Sequence, residues 1–342
     1  MGDEQQQFIP GKTSQTRAGA GSGMHQWLPR TVVGVTALGA AALYNRRQTI
    51  NAEHQHPPIG QFLKVGQTRL HYLEQGEGNP VILIHGNGSM IQDFTASGLV
   101  DDLASRYRVI VFDRPGFGHS TRPGRLWTAR DYARLFQGAL KQLGIKQAVV
   151  LGHSWGSLVA IALALEAPSL VRGLVLASGY YYPTPRLDVL MFSPPAIPIV
   201  GDVFRHTAAP LISRAILPKL VRKVFVPNPV PERFQTEFPI TLALRPSQLR
   251  ASAEDTAMMI PSAMDLSRHY QNLRLPVTIM TGTDDRIVDC ESQSWRLHKD
   301  VPHSTFIALD GIGHMIHHFA PQMISEVVDQ LQEKSQTGPR SL

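Results

Sequence analysis

The chain has 342 residues, 43 % apolar and 18 % charged, which supplies enough apolar side chain for a sizeable buried core and excludes a wholly disordered chain. Its formal charge of +6 is not gathered into Lys/Arg clusters interleaved with aromatics, and no nucleic-acid-reading module is recognisable, so a nucleic-acid partner is excluded. Cys290 is the single cysteine, which rules out an intrachain disulfide, and no nucleophile pattern surrounds it.

Residues 1–26 are polar and rich in Gly, Ser and Gln, and they lack the apolar period needed to fold alone, so a disordered tail is expected there. Residues 27–47, WLPRTVVGVTALGAAALYNRR, hold an uncharged stretch from Thr31 to Tyr44 flanked by Arg30, Arg46 and Arg47. This reads as a hydrophobic anchor, although it is short against the roughly 20 residues that cross a bilayer. A cleaved export signal, with Ala40 and Ala42 in the small-x-small positions, and an ordinary helix are the other readings.

From about Gly60 the chain changes character. FLKV and TRLHYLEQG read as two strands joined by a tight turn, and apolar runs bounded by turn residues then recur at 81–86, 108–118, 148–156, 173–179, 277–282 and 305–311. Runs this apolar suit strands buried on both faces of a mainly parallel sheet. Helical stretches over 131–144 and 157–167 lie between them, which gives alternating βα units and a doubly wound α/β fold over 60–335. The alternation breaks over about 180–272, where 12 of the 25 prolines fall between Pro183 and Pro246, and an inserted, mainly helical cap is expected. Within it, LISRAILPKLVRKVF (211–225), interrupted at Pro218, reads as a solvated basic cap helix, with contact to a membrane surface as the other reading.

GHSWGS (152–157) follows the apolar run AVVL and opens a helical stretch, so Gly152, Ser154 and Gly156 fit the nucleophile-elbow pattern in the strand-to-helix context it requires. A serine hydroxyl is a poor nucleophile at neutral pH, so Ser154 needs a base within reach and an acid to orient that base. TGTDDRIVD follows one late strand and GIGHMIHH another, which puts Asp284 or Asp285, and then His314, at carboxyl ends of strands where open α/β sheets collect their sites. His298, His303, His317 and His318 are rival bases. Only His314 follows the small turn, and a following helix is expected to carry His317 and His318 away. A metal site is not expected, since no carboxylate or Cys spacing accompanies these histidines.

HGNG (85–88), DRPGFGHS (113–120), GHSWG (152–156) and the late Asp and His blocks occur in one order, and from about Gly60 to Leu331 the chain resembles the α/β-hydrolase superfamily. The resemblance implies an eight-stranded, mostly parallel sheet with helices on both faces, and a catalytic triad of Ser154, Asp285 and His314. Asp285 is chosen over Asp284 by the family's GxxDxxV pattern. It also implies oxyanion donors at the backbone N–H groups of Trp155 and Asn87, with Gly88 as the alternative to Asn87. His85 is implied to brace that loop, whereas Asp113 and Arg114 belong to a structural turn. No metal or organic cofactor is implied. The chain is also similar to bacterial hydrolases that pair an N-terminal hydrophobic segment with HPPIG, HGNGS and RPSQLR stretches, which favours anchoring at the bacterial inner membrane; an exported, periplasmic or cytoplasmic protein is the alternative.

Serine at the elbow argues against epoxide hydrolases and haloalkane dehalogenases, which resemble this fold but use Asp there. Hydrolysis of small-molecule carboxylic esters with apolar groups is the expected activity. Carbon–carbon bond hydrolysis, perhydrolysis and a non-enzymatic ligand-binding role are the alternatives, and no protein partner is inferable. Tyr180, Tyr181, Tyr182, Phe192, Phe204, Met258 and Met259 are candidates for an apolar pocket or for ordinary packing.

Overall fold

The computed structural model describes residues 24–185 and 191–334, with the side chains of 24–31 and of Lys334 left out. The tail expected over 1–26 therefore falls mostly outside the described residues. Eight strands form one sheet in the order β1-β2-β4-β3-β5-β6-β7-β8. They are β1 (Gln61–Val65), β2 (Thr68–Gln75), β3 (Pro80–Ile84), β4 (Arg108–Phe112), β5 (Ala148–His153), β6 (Val171–Ala177), β7 (Val277–Gly282) and β8 (Thr305–Leu309). Only β2 runs against its neighbours; all other pairings are parallel, so the expected α/β-hydrolase sheet is present.

Alternation along these strands sorts their side chains into two layers, because successive Cβ atoms of a strand point to opposite faces. Ile82, Ile84, Ile110, Val150 and Leu174 join one buried cluster, and Val81, Leu83, Val109, Val149 and Val175 join the other. The helices in the sheet's connections, in chain order after α1 (Met24–Gln55), are α2 (Ile91–Ser97), α3 (Leu99–Ala104), α4 (Ala129–Gln142) and α5 (Trp155–Glu166). Helices α4 and α5 cover the first layer, and α2 and α3 cover the second. A Thr128–Asp131 capping box starts α4, with each side chain satisfying the other residue's backbone N–H. Between β6 and β7 lie α6 (Val200–His206), α7 (Ala208–Phe225), α8 (Glu232–Glu237), α9 (Ile240–Ala243) and α10 (Pro246–Leu266), with no strand among the described residues. The helix α7 runs through Pro218 rather than stopping there. The chain closes with α11 (Arg296–Asp300), α12 (Ile316–Phe319) and α13 (Pro321–Lys334).

The N-terminal segment departs from expectation. The chain divides into two units, Met1–Ala40 and Ala41–Leu342, and α1 begins in the first and ends in the second. No helix among the described residues is long and apolar enough to cross a membrane, so the anchor over 27–47 and the inner-membrane placement drawn from it do not stand. The physical reason is length and composition. The uncharged segment between Arg30 and Arg46 makes roughly 22 Å of helix against about 30 Å of hydrocarbon, and Gly34, Gly39, Thr31 and Thr36 dilute its hydropathy. Within the second unit the end of α1 packs on the insertion: Asn45 Nδ2 donates to the carbonyls of His206 (3.0 Å) and Thr207 (2.6 Å), Ala52 is buried against Met90 and Leu242, and Glu53 pairs with Arg245 at 2.8 Å. This compact unit thus begins before Gly60.

The last helix of the insertion, α10, is fixed to the sheet by a buried charge. Arg114, fully buried just beyond β4, donates from Nη1 to Asp255 Oδ2 on α10 (2.5 Å), from Nε to the His85 carbonyl (3.0 Å) and from Nη2 to the Gly86 carbonyl (2.9 Å). Tyr132 Oη donates to Asp255 Oδ1 (2.7 Å), and Arg122 bridges to Asp255 and Glu254. His85 completes the brace, its Nδ1 facing the Gly86 carbonyl at 2.8 Å and its Nε2 accepting from the Arg114 backbone N–H at 3.0 Å. Burial, and then the neighbouring Arg114 charge, lower the His85 pKa to about 4, so the ring is neutral with one N–H to give.

Replacing Arg114 with Met should leave Asp255 short of its closest buried partner and cost about 3–5 kcal/mol of stability in urea denaturation; a change within about 0.5 kcal/mol would contradict the brace. Because the folded pKa of His85 lies below the free value of 6.5, the folded state binds fewer protons in that window. Its contribution is complete above pH 6.5 and is lost as pH falls towards 4, so the unfolding free energy should decline between those values.

Candidate active site

Ser154 stands where β5 passes into α5, with φ 54° and ψ −119°, one of only three non-glycine residues with positive φ among the described residues. That conformation is strained for an L-residue and persists because the surroundings over-determine it. The Ser154 backbone N–H donates to the Ala177 carbonyl at 2.9 Å, and its flanking glycines admit no side chain: a Cβ on Gly152 would meet the Gly156 carbonyl, and one on Gly156 would meet the Ile84 carbonyl. The hydroxyl is thereby presented at the N-terminus of α5, where backbone N–H groups and the helix dipole favour negative charge.

Asp285 and His314 are brought together by the loops after β7 and β8. Asp285 Oδ2 meets His314 Nδ1 at 2.7 Å, and Asp285 Oδ1 accepts from the backbone N–H groups of Ile287 (2.8 Å) and Val288 (2.9 Å). The Asp285 side chain is fully buried and that of His314 is 5 % exposed. Asp284 is exposed, and among the described residues no hydrogen bond or ion pair joins it to His314. A carboxylate on Nδ1 fixes the tautomer that leaves Nε2 as an acceptor.

Of the proposed oxyanion donors, Trp155 occupies the first position of α5 and Asn87 follows β3; neither backbone N–H has an acceptor among the described residues. Their side chains are turned to structural ends. Trp155 Nε1 donates to the Asp255 carbonyl at 2.9 Å, and Asn87 Nδ2 donates to the Ser252 carbonyl (3.1 Å) and Thr256 Oγ1 (2.9 Å). The loop that carries Asn87 is therefore held from α10 as well as from Arg114. Gly88, the alternative donor, has φ 76°.

A second buried group lies under these residues and was missed in the sequence. Asp93 on α2 accepts from Ser89 Oγ (2.8 Å) and meets His317 Nε2 (3.1 Å) and His318 Nε2 (2.9 Å), while His153 Nε2 reaches the His314 carbonyl at 3.1 Å. Burial alone would raise the Asp93 pKa, but His317 and His318 reverse this and hold it well below the usual carboxylate range; burial keeps His153 neutral. The helix expected to carry His317 and His318 away is the four-residue α12, which instead turns both rings onto Asp93. Asp93, His153 and His317 each place a donor atom within 4.8 Å of the others. Both Asp93 oxygens are already engaged as hydrogen-bond acceptors, which makes the group a tie between the elbow and the His314 loop. Asp93 shows no spacing pattern to His317, more than two hundred residues on, so only the fold reveals the pairing.

The tyrosines considered for an apolar pocket are core residues. Tyr180, Tyr181 and Tyr182 are at most 2 % exposed, with Gln293 Oε1 accepting from the Tyr181 and Tyr182 backbone N–H groups and Asp300 accepting from Tyr182 Oη.

Residues 79–226 match a family model described as the alpha/beta hydrolase fold. Among curated proteins, haloalkane dehalogenase 2 of Mycobacterium tuberculosis is 28 % identical over 232 residues, 59 % of this chain and 80 % of the dehalogenase. Among solved structures, a thermophilic esterase from Thermogutta terrifontis superposes with a TM-score of 0.62 at 21 % identity, over 80 % of this chain and 99 % of the esterase. A meta-cleavage product hydrolase from Pseudomonas fluorescens superposes with a TM-score of 0.61 at 22 % identity, over 82 % of this chain and all of the hydrolase. Sheet order, elbow and these likenesses agree, and the chain has the α/β-hydrolase fold.

Proposed function

We propose that the protein is a serine hydrolase that cleaves carboxylic esters through an acyl-enzyme, with Ser154 as nucleophile, His314 as base and Asp285 as the acid that orients it. The observation that carries this reading is the buried 2.7 Å contact between Asp285 Oδ2 and His314 Nδ1 at the sheet edge where Ser154 is presented. A neutral His314 oriented by Asp285 takes the Ser154 proton as the hydroxyl attacks the ester carbonyl, and the charged imidazole is stabilised by the carboxylate. The proton then passes to the leaving alkoxide, and water repeats the sequence on the acyl-enzyme. The backbone N–H groups of Trp155 and Asn87 stabilise the tetrahedral oxyanion, and removing one such donor is typically worth about 3–4 kcal/mol.

The dehalogenase relative does not set the chemistry here, because an alkyl-enzyme ester requires a carboxylate at the elbow and this chain has Ser154 there. Preference for an apolar acyl group is supported by α10, where Met259 follows Ser252 and Thr256 on the helix face that meets Asn87. Carbon–carbon bond hydrolysis runs on the same three groups and is the second reading, supported by the likeness to the meta-cleavage product hydrolase.

Nitrophenyl esters of graded chain length provide the test. Hydrolysis should rise from acetate to medium chains, and a strict preference for acetate would contradict an apolar acyl site. Asp285→Asn should lower kcat by roughly 10²–10⁴-fold with KM and folding little changed. Asp284→Asn should stay within about twofold of wild type; the reverse pattern would move the orienting role to Asp284.

A further inference from the structure

Two adjoining cavities at the end of α7 combine charge with apolar surface in a way the ester chemistry does not use. The first, about 480 Å³, is lined by Lys219, Arg222 and Lys223 of α7, by Val226, and by Arg286 from the loop that carries Asp285. The second, about 640 Å³, shares Arg222 and Val226 and continues over Pro218, Val221, Val230 and Ile240, with buried Phe234 in its floor. Arg222 and Val226 are thus common to the walls of both.

The four cations of the first cavity are uncompensated. None of them makes an ion pair with a carboxylate among the described residues, and all four are exposed. Asp285, next to Arg286, is occupied by His314 and by the Ile287 and Val288 N–H groups. Like charges held together without an ion-paired carboxylate repel one another and focus a positive potential into the concavity, so an anion bound there is stabilised by all four. Two of the four are guanidiniums, whose planar donor forks fit the oxygens of a phosphate group better than a monovalent head.

We propose that this double cavity binds a single-chain amphiphile with a phosphate head, the head among Lys219, Arg222, Lys223 and Arg286 and the chain along Val221, Val230 and Ile240. The site stands apart from the proposed acyl-enzyme chemistry, and yet it shares a wall with it. The carbonyl of Val226 lies where a Cβ on Gly313 would be, beside His314, and Asn228 Nδ2 donates to the Gly311 carbonyl at 3.3 Å.

Isothermal titration of the full chain with sub-micellar dodecyl phosphate tests the assignment. One saturable site is expected, weakened at least tenfold in Lys219→Glu/Lys223→Glu and weakened by raising salt from 50 to 500 mM. Butyl phosphate and inorganic phosphate should bind at least tenfold more weakly than dodecyl phosphate. No saturable binding, or binding unchanged in the double variant, would overturn the site. Equal binding of inorganic phosphate would overturn the role of the apolar cavity, and equal binding of dodecanoate would overturn the phosphate head.

Discussion

The buried guanidinium of Arg114 is the constraint on which the site's geometry depends. One side chain reaches two carbonyls of the loop after β3 and a carboxylate on α10, so the loop bearing Asn87 and the last helix of the insertion are held by a single group. A buried charge of this kind is tolerated only when its donors are met. Arg114 has Asp255 as counter-charge, with Tyr132 and Arg122 completing the hydrogen bonding of that carboxylate. The aromatic rings of Phe117, Tyr132 and Trp155 surround the guanidinium at 4.5, 5.2 and 5.4 Å. Trp155 thus joins two systems: its ring packs on this charge network while its backbone stands beside Ser154.

The same logic divides the insertion. Helix α10 is tied to the sheet through Asp255, Glu254 and the Ser252 and Thr256 contacts to Asn87, so it forms a fixed wall of the site. Helix α7 instead presents its cationic face outward, and its end presses on the loop before His314. Beneath the site Asp93 binds Ser89 on one side and His317 and His318 on the other, and His153 meets the His314 carbonyl. Ser154, His314 and the Asn87 loop therefore share a dense polar underlayer, in which burial lowers the pKa values of His85, His153 and His317.

Much of this was legible in the sequence, and for a physical reason. Strands buried on both faces must be continuously apolar, so β3 to β7 stand out as runs, and a strained elbow tolerates only small neighbours, so Gly152 and Gly156 mark Ser154. Asp285 and His314 follow strands by short turns and are found by that position. What escaped depends on contacts distant in the chain. Asp255 sits in a helical stretch with nothing in its neighbourhood to announce Arg114 as its partner. His317 and His318 looked like residues of an outgoing helix, because the brevity of α12 is set by packing against Asp93. The 27–47 segment misled because an uncharged stretch flanked by arginines resembles an anchor, although its length and its glycines leave it below what a bilayer needs.

The most direct measurement is covalent. A fluorophosphonate that phosphonylates activated serines, followed by peptide mass spectrometry, reports whether Ser154 is the nucleophile. The expected result is a single adduct on the peptide containing Ser154, absent in Ser154→Ala and strongly slowed in His314→Ala. A folded wild-type protein that remains unlabelled, or an adduct on another serine, would contradict the account.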